Sequence, residues 1–160
     1  MYEEGDMKAF DTLFDRFHVP VYNFAYSLFR DPDGCEEVLQ EAFFTVARSA
    51  GSYTPRWRFR TWLMSIVHNR CLNHMEMQRV RKRHMIQPPT APAESVADGA
   101  PTDKLELGEY LRTVRDAITS LSERQREAIV LYAYEQMSYR DIAEVLDMSL
   151  NTLKTLIHRA

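Results

Sequence analysis

Between Leu121 and Ala160, capping residues alternate with short apolar stripes, which leaves this segment little to form except brief helices meeting at tight turns. Ser138 precedes Asp141 at the spacing of a capping box, so a helix is expected to start at Tyr139. Ile142, Ala143, Val145 and Leu146 give that helix its apolar face, and Ala143 is small enough for a close crossing. Asp147-Met148-Ser149 reads as a short turn, with Ser149 placed to cap the helix that follows. On this last helix Leu150, Leu153 and Ile157 share one side at helical spacing. Asn151, Thr152, Lys154, Thr155, His158 and Arg159 are left facing out, with the donors and acceptors that a DNA major groove requires. The pattern is that of a helix-turn-helix. Its bland alternative is a helical hairpin with a polar outer face.

Composition extends the helical reading to the whole chain. Its 160 residues are 45% hydrophobic and include only five glycines, and no alternating β-branched run stands out. An all-α protein is expected, with apolar material for one medium core or two small ones. No apolar stretch approaches a membrane span. The acidic start, Met1 to Asp6, is unlike a signal peptide. Cys35 and Cys71 suit a reducing compartment better than a disulfide framework, so the cytoplasm is the expected location. The net charge of −3 hides a strong asymmetry: residues 1–55 are net −6, while residues 56–83 are net +7. Such a division suggests two partners, one a basic protein surface and the other a polyanion.

Phe10, Leu13, Phe14, Phe17, Val21, Ala25 and Leu28 recur at helical spacing, and Pro20 within that run predicts a kink or two abutting helices. Asp31-Pro32-Asp33-Gly34 reads as a turn, followed by helices over about 36–49 and about 61–83. Residues 84–103 hold four prolines and no Lys or Arg, the composition of a flexible tether. Further helices are expected over about 104–120, 123–135, 139–146 and from Leu150 onward, and Ser122 with Gln125 forms another capping box. The expected architecture is therefore two small helical domains, 1–84 and 104–160, joined by a flexible linker over 85–103. A tether of that length reaches at most about 66 Å. It could let both domains touch one duplex at separated places.

Arg56-Trp57-Arg58-Phe59-Arg60-Thr61-Trp62 alternates cations with aromatic rings just before a helix. Arginines neutralise phosphates and exposed rings stack on unpaired bases, a combination suited to melting DNA. Trp62 is expected in the core and Trp57 at the surface. His68, Asn69 and Asn73 add hydrogen-bonding groups further along. Arg79, Arg81, Lys82 and Arg83 either hold phosphates or serve as cations at a helix C-terminus. On the preceding helix Glu36, Glu37, Gln40, Glu41 and Phe44 lie on or beside the outward side, as a protein-binding strip would. The helix dipole alone accounts for Glu36 and Glu37.

These blocks resemble the extracytoplasmic-function (ECF) sigma factors, the two-domain class of bacterial transcription initiation factors. The resemblance rests on Gly5-Asp6, Ala9-Phe10, Leu13-Phe14, Asp31-Pro32 and Glu36 to Phe43. It continues with Phe59-Arg60-Thr61-Trp62-Leu63, Ile66, Asn69, Leu121 to Arg126 and the helix-turn-helix. It covers most of the chain outside the linker. The resemblance implies that Glu36, Glu37, Gln40, Glu41 and Phe44 dock on the β′ coiled coil of core RNA polymerase. Arg56 to Trp62, His68, Asn69, Asn73 and Arg79 would capture and melt the −10 promoter element, with Asn69 aligned to a residue that contacts an extruded base. The C-terminal domain would sit on the β flap while Asn151, Thr152, Lys154, Thr155, His158 and Arg159 read the −35 element. An anti-sigma factor is a further implied partner.

Three departures stand out. Leu156 replaces an arginine common in relatives, within a 122–160 segment of net charge −1, which leaves the strength of −35 binding open. Gly34-Cys35 replaces a small-acidic pair, a change expected to be neutral. Relatives continue past Arg159-Ala160 with more basic residues, which leaves a truncated product or a partial gene open as readings of the sequence. The competing reading is a stand-alone helix-turn-helix regulator acting without polymerase. His68, Cys71 and His74 have the spacing of a zinc half-site without a fourth ligand, and no metal or cofactor is expected. With no glycine-rich phosphate loop and no nucleophile motif, neither is an enzyme.

Overall fold

The computed structural model describes residues 4–49, 58–84, 117–118 and 120–159, and every regular element among them is helical. In chain order these are α1 (Glu4–Phe29), α2 (Pro32–Ser49), α3 (Phe59–His84), α4 (Glu123–Ala133), α5 (Tyr139–Val145) and α6 (Leu150–His158). The expected linker and most of the helix expected before Ser120 lie outside the described residues.

Pro20 does not divide α1, which runs unbroken through it. Proline denies one N–H to the helix ladder. The helix holds because Val21, Phe24 and Ala25 beyond the proline are fully buried, so packing offsets the lost bond. Arg30, at φ 51°, ends the helix in the left-handed region and gives its N–H to the Tyr26 carbonyl at 3.1 Å. Pro32 then occupies the first position of α2, where no donor is needed, and the Asp31 carbonyl accepts from the Cys35 N–H at 2.9 Å. The expected turn over Asp31 to Gly34 is thus mostly the first turn of the helix itself.

The inward stripes of α1 and α2 meet at Phe43, whose ring takes Phe14 at 4.9 Å and Phe10 at 6.0 Å, both edge-on. α3 closes this three-helix unit with Leu63, Met64, Val67 and Cys71, all fully buried. The short helices α4, α5 and α6 pack around Leu131, Ile142, Leu146 and Leu153, which are buried to 2% or less. The two units also touch directly: α4 packs on α1 and α5 on α3.

The junction of α2 and α3 depends on Gly34. A Cβ there would lie 2.5 Å from His74 Nε2, 2.7 Å from its Cε1 and 2.9 Å from Asp31 Oδ2. The His74 ring cannot easily retreat, because it is 6% exposed and stacked on Phe29 at 4.7 Å. Glycine here is therefore a packing requirement rather than a neutral exchange. We expect Gly34→Ala to destabilise the protein. Overpacking of about 1–3 kcal/mol outweighs the roughly 0.5–1 kcal/mol that alanine adds to a helix. A lower urea midpoint, recovered when His74→Ser is added, is the expected result. An unchanged midpoint in the single variant would contradict this account of the junction.

Candidate nucleic-acid interface

The C-terminal reader is built from two serine caps and one left-handed residue. Ser138 Oγ accepts from the Asp141 N–H at 3.2 Å, and Ser149 Oγ accepts from the Thr152 N–H at 3.1 Å. Between them Asp147 takes φ 48°, so that Met148 N–H reaches the Ala143 carbonyl at 2.9 Å and Asp147 N–H reaches that of Glu144 at 3.3 Å. This Schellman closure turns α5 sharply into α6. At Ser122 the backbone N–H and the hydroxyl both donate to Gln125 Oε1, fixing the start of α4.

On α6 Leu153 is fully buried, Leu156 and Ile157 are half-buried, and Asn151, Thr152, Lys154, Thr155, His158 and Arg159 are all exposed. Leu150 departs from the expected apolar side, since at 41% exposure it stands at the helix mouth rather than in the core. Leu156 packs against the core, so an apolar residue there is used for cohesion.

The basic stripe on α3 is divided by the packing. Arg56 and Trp57 lie outside the described residues, and Arg58 is exposed. Phe59 and Trp62 are half-buried, their rings 5.7 Å apart, with Phe59 also 5.4 Å from Phe17. Neither ring is a free stacking platform. Asn69 and Asn73 are exposed, as are Arg79, Arg81 and Arg83. His68 was expected outward and is not: it is 3% exposed, with Nε2 3.5 Å from Glu127 Oε1 on α4. Thr61 is 2% exposed and donates its hydroxyl to Asp141 Oδ1 at 2.9 Å. Arg60 donates to the Glu135 backbone carbonyl at 2.6 Å and pairs with that residue's carboxylate at 3.5 Å. Burial pushes the Glu135 carboxyl above its ordinary pKa, and Arg60 partly restores it. Arg79 pairs with Glu123 at 3.2 Å and with Glu76 at 3.8 Å.

The partners Glu123, Glu127, Glu135 and Asp141 escaped sequence reasoning, although a signal was present. The acids of 122–160 are visible as a negative net charge, and Asp141 as part of a capping box, but four of them, Glu123, Glu127, Glu135 and Asp141, face α3.

On α2 the expected strip is in place, with Glu36, Glu37, Gln40, Glu41 and Phe44 all exposed, Phe44 at 64%. Arg70 braces it from α3, pairing with Glu41 at 3.4 Å and donating to Thr45 Oγ1 at 3.1 Å. A groove of about 510 Å³ runs between Phe44, Arg48 and Arg70. A second, more apolar groove of about 450 Å³ flanks Gln40, lined by Phe14, Val19, Tyr22 and Leu39. Val19 and Tyr22 lie outside the core stripe of α1, which is why periodicity passed over them.

His68 and His74 turn to different carboxylates, His74 lying 3.5 Å from Glu37 and 3.8 Å from Asp31. No cluster among the described residues could hold a metal ion. Cys35 and Cys71 are buried thiols, burial pushing Cys35 up to about 12 and Cys71 higher still, so neither is a ready nucleophile.

Comparison with known proteins agrees with this layout. Residues 13–81 match the family Sigma-70 region 2, and residues 111–160 match Sigma-70, region 4. The ECF RNA polymerase sigma factor SigK of Mycobacterium sp. (strain KMS) is 33% identical over 153 residues, covering 95% of this chain and 79% of its own. SigW of Bacillus subtilis (strain 168), also an ECF RNA polymerase sigma factor, is 29% identical over 168 residues, covering 98% and 87%. Among solved structures, CnrH in complex with the cytosolic domain of CnrY superposes with a TM-score of 0.68 at 25% identity, over 98% of this chain and 84% of that one. The sigma factor RpoE of Bartonella quintana, solved with the anti-sigma factor NepR, shares the fold with a TM-score of 0.72 at 22% identity, over 95% and 91%. A stand-alone regulator has no need of region 2, and that reading is set aside. The chain belongs to the ECF RNA polymerase sigma factors, non-catalytic initiation factors that direct RNA polymerase to promoters through regions 2 and 4.

Proposed function

We propose that three faces divide the work of initiation, two on the segment 1–84 and one on the segment 104–160, with 85–103 as the linker. Glu36, Glu37, Gln40, Glu41 and Phe44 dock α2 on the β′ coiled coil of core polymerase. Asn69 and Asn73, together with Arg56, Trp57, Arg58, Arg60 and Arg79, capture the −10 element as it melts. Phe59, Thr61, Trp62 and His68 hold α3 in place behind that face, a supporting role in place of direct base contact. The outward row of α6 reads the −35 element, and the rest of the C-terminal unit rests on the β flap. The segment 85–103 spans the two.

The observation that carries this reading is the exposure of Asn69 and Asn73 on a stretch of α3, residues 61–75, whose other residues are buried or half-buried. Outward amide side chains on a helix that also carries arginines have the chemistry to hold a base edge while the cations neutralise its backbone. The proposed regulator is an anti-sigma factor, a counterpart of the NepR with which RpoE was solved. The proposed setting is the cytoplasm, where polymerase and DNA meet. No described helix is long and apolar enough to cross a membrane.

We expect Asn69→Ala to reduce promoter opening roughly tenfold, the scale of one lost base contact at about 1–3 kcal/mol. Permanganate footprinting reads this, with core association unchanged. Normal opening would remove Asn69 from the site. Glu41→Lys is expected to weaken core association about tenfold by setting like charge against a basic surface, while Glu41→Gln has a smaller effect. Equal affinity of both variants and the parent in a polymerase pull-down would argue against docking through this strip. Lys154→Ala should lower duplex affinity uniformly across sequences and reduce the slope of log affinity against log salt by about one. A change confined to one base position would instead make Lys154 a base reader.

A further inference from the structure

We infer that the groove beside Phe44 receives a carboxylate of the polymerase surface on which α2 docks, and that Arg48 is the residue that grips it. This rests on the assignment of the outward face of α2 as the docking strip. Glu37, Glu41, Phe44 and Arg48 recur at i, i+4, i+7 and i+11, which places them in one row along the helix. All four are exposed. The row opens with two acids, passes an aromatic ring and closes on a cation about 16 Å from its start. Arg48 is the only Lys or Arg in α2. The helix dipole favours a cation in the last turn, yet it asks for no particular face. A uniformly basic partner would suit Glu37 and Glu41 and be repelled by Arg48. The row fits a surface that is basic, then apolar, then acidic, and so it fixes which way round that surface lies.

The groove itself is short of negative charge. Its lining of Glu41, Phe44, Thr45, Arg48, Ser49 and Arg70 sets two guanidinium groups against one carboxylate. Arg70 already uses that carboxylate, pairing with Glu41 at 3.4 Å and donating to Thr45 Oγ1 at 3.1 Å. Arg48 stands over the Phe44 ring at 5.6 Å and its guanidinium forms no ion pair among the described residues. One incoming carboxylate would balance the groove. Its two oxygens match the fork of Arg48, with the Phe44 ring covering the other side of the guanidinium. Arg70, held in place from α3, adds its field without having to move. A nucleic-acid strand fits less well, because its successive phosphates would have to pass Glu41 and Glu37 on the same row.

The test measures the affinity of the full chain for core RNA polymerase, without DNA, in the variants Arg48→Glu, Arg48→Gln and Arg48→Lys. Arg81→Glu, at the exposed end of α3, changes the net charge as much as Arg48→Glu does and serves as the control. We expect Arg48→Glu to bind about tenfold more weakly than the control, and Arg48→Lys to stay within about twofold of the parent. Arg48→Gln should fall between them, and it carries the test if the reversed charge impairs folding. The losses should shrink as salt is raised, which a packing defect would not do. If acidity alone governs docking, Arg48→Glu binds as well as the control or better, and the inference is overturned. Equal losses in the Lys, Gln and Glu variants, insensitive to salt, would make Arg48 a structural residue and overturn it too. So would unchanged core affinity with impaired promoter opening in the holoenzyme, which would assign Arg48 to nucleic acid. Glu41→Lys separates the two possible failures. If it weakens association while Arg48→Glu does not, the strip stands and the groove assignment falls; if neither does, the strip falls with it.

Discussion

The burial of Leu63, Met64, Val67 and Cys71 against α1 and α2 fixes the rotation of α3, and everything outward on that helix follows from it. With this stripe turned inward, Asn69 and Asn73 can only face solvent, and Thr61 and His68 can only face the C-terminal unit. A cavity at any of these positions would be felt as a loss of stability. More important for function, it would loosen the angle at which the amides are presented. Core packing and the proposed base capture are thus one constraint seen from two sides of a single helix.

The same helix is braced against the docking strip. His74 sits between Asp31 and Glu37 at 3.8 and 3.5 Å, pressed over Gly34, while Arg70 ties Glu41 and Thr45 from one turn earlier. Two residues of the strip, Glu37 and Glu41, therefore also take part in the packing that aligns α2 with α3. A partner that gripped these carboxylates would act on α3 through His74 and Arg70. This physical connection links the proposed docking strip to the proposed DNA face without any large rearrangement of the three-helix unit.

Local chemistry was legible in the sequence where one signal dominated. Ser138 and Ser149 cap where their spacing to Asp141 and Thr152 requires, and the outward row of α6 follows from period alone. Pro20 misled because a proline's local cost was weighed without the burial of Val21, Phe24 and Ala25 that outweighs it. Leu150 shares the spacing of Leu153 and Ile157 but lies at the first turn, where no neighbouring helix covers it. The placement of His68 and Thr61 was hidden for a different reason. It depends on contacts between segments more than fifty residues apart, and no pattern within either segment encodes the pairing. The acids of the C-terminal unit were visible as charge, yet the partner they face belongs to tertiary structure.

The most direct test of the central claim is run-off transcription by core RNA polymerase reconstituted with this chain on a library of genomic fragments. The account predicts discrete new start sites, absent with core alone, that share one pair of elements at −10 and −35. A chain that fails to associate with core, or associates and yields no start site that core alone lacks, would contradict it.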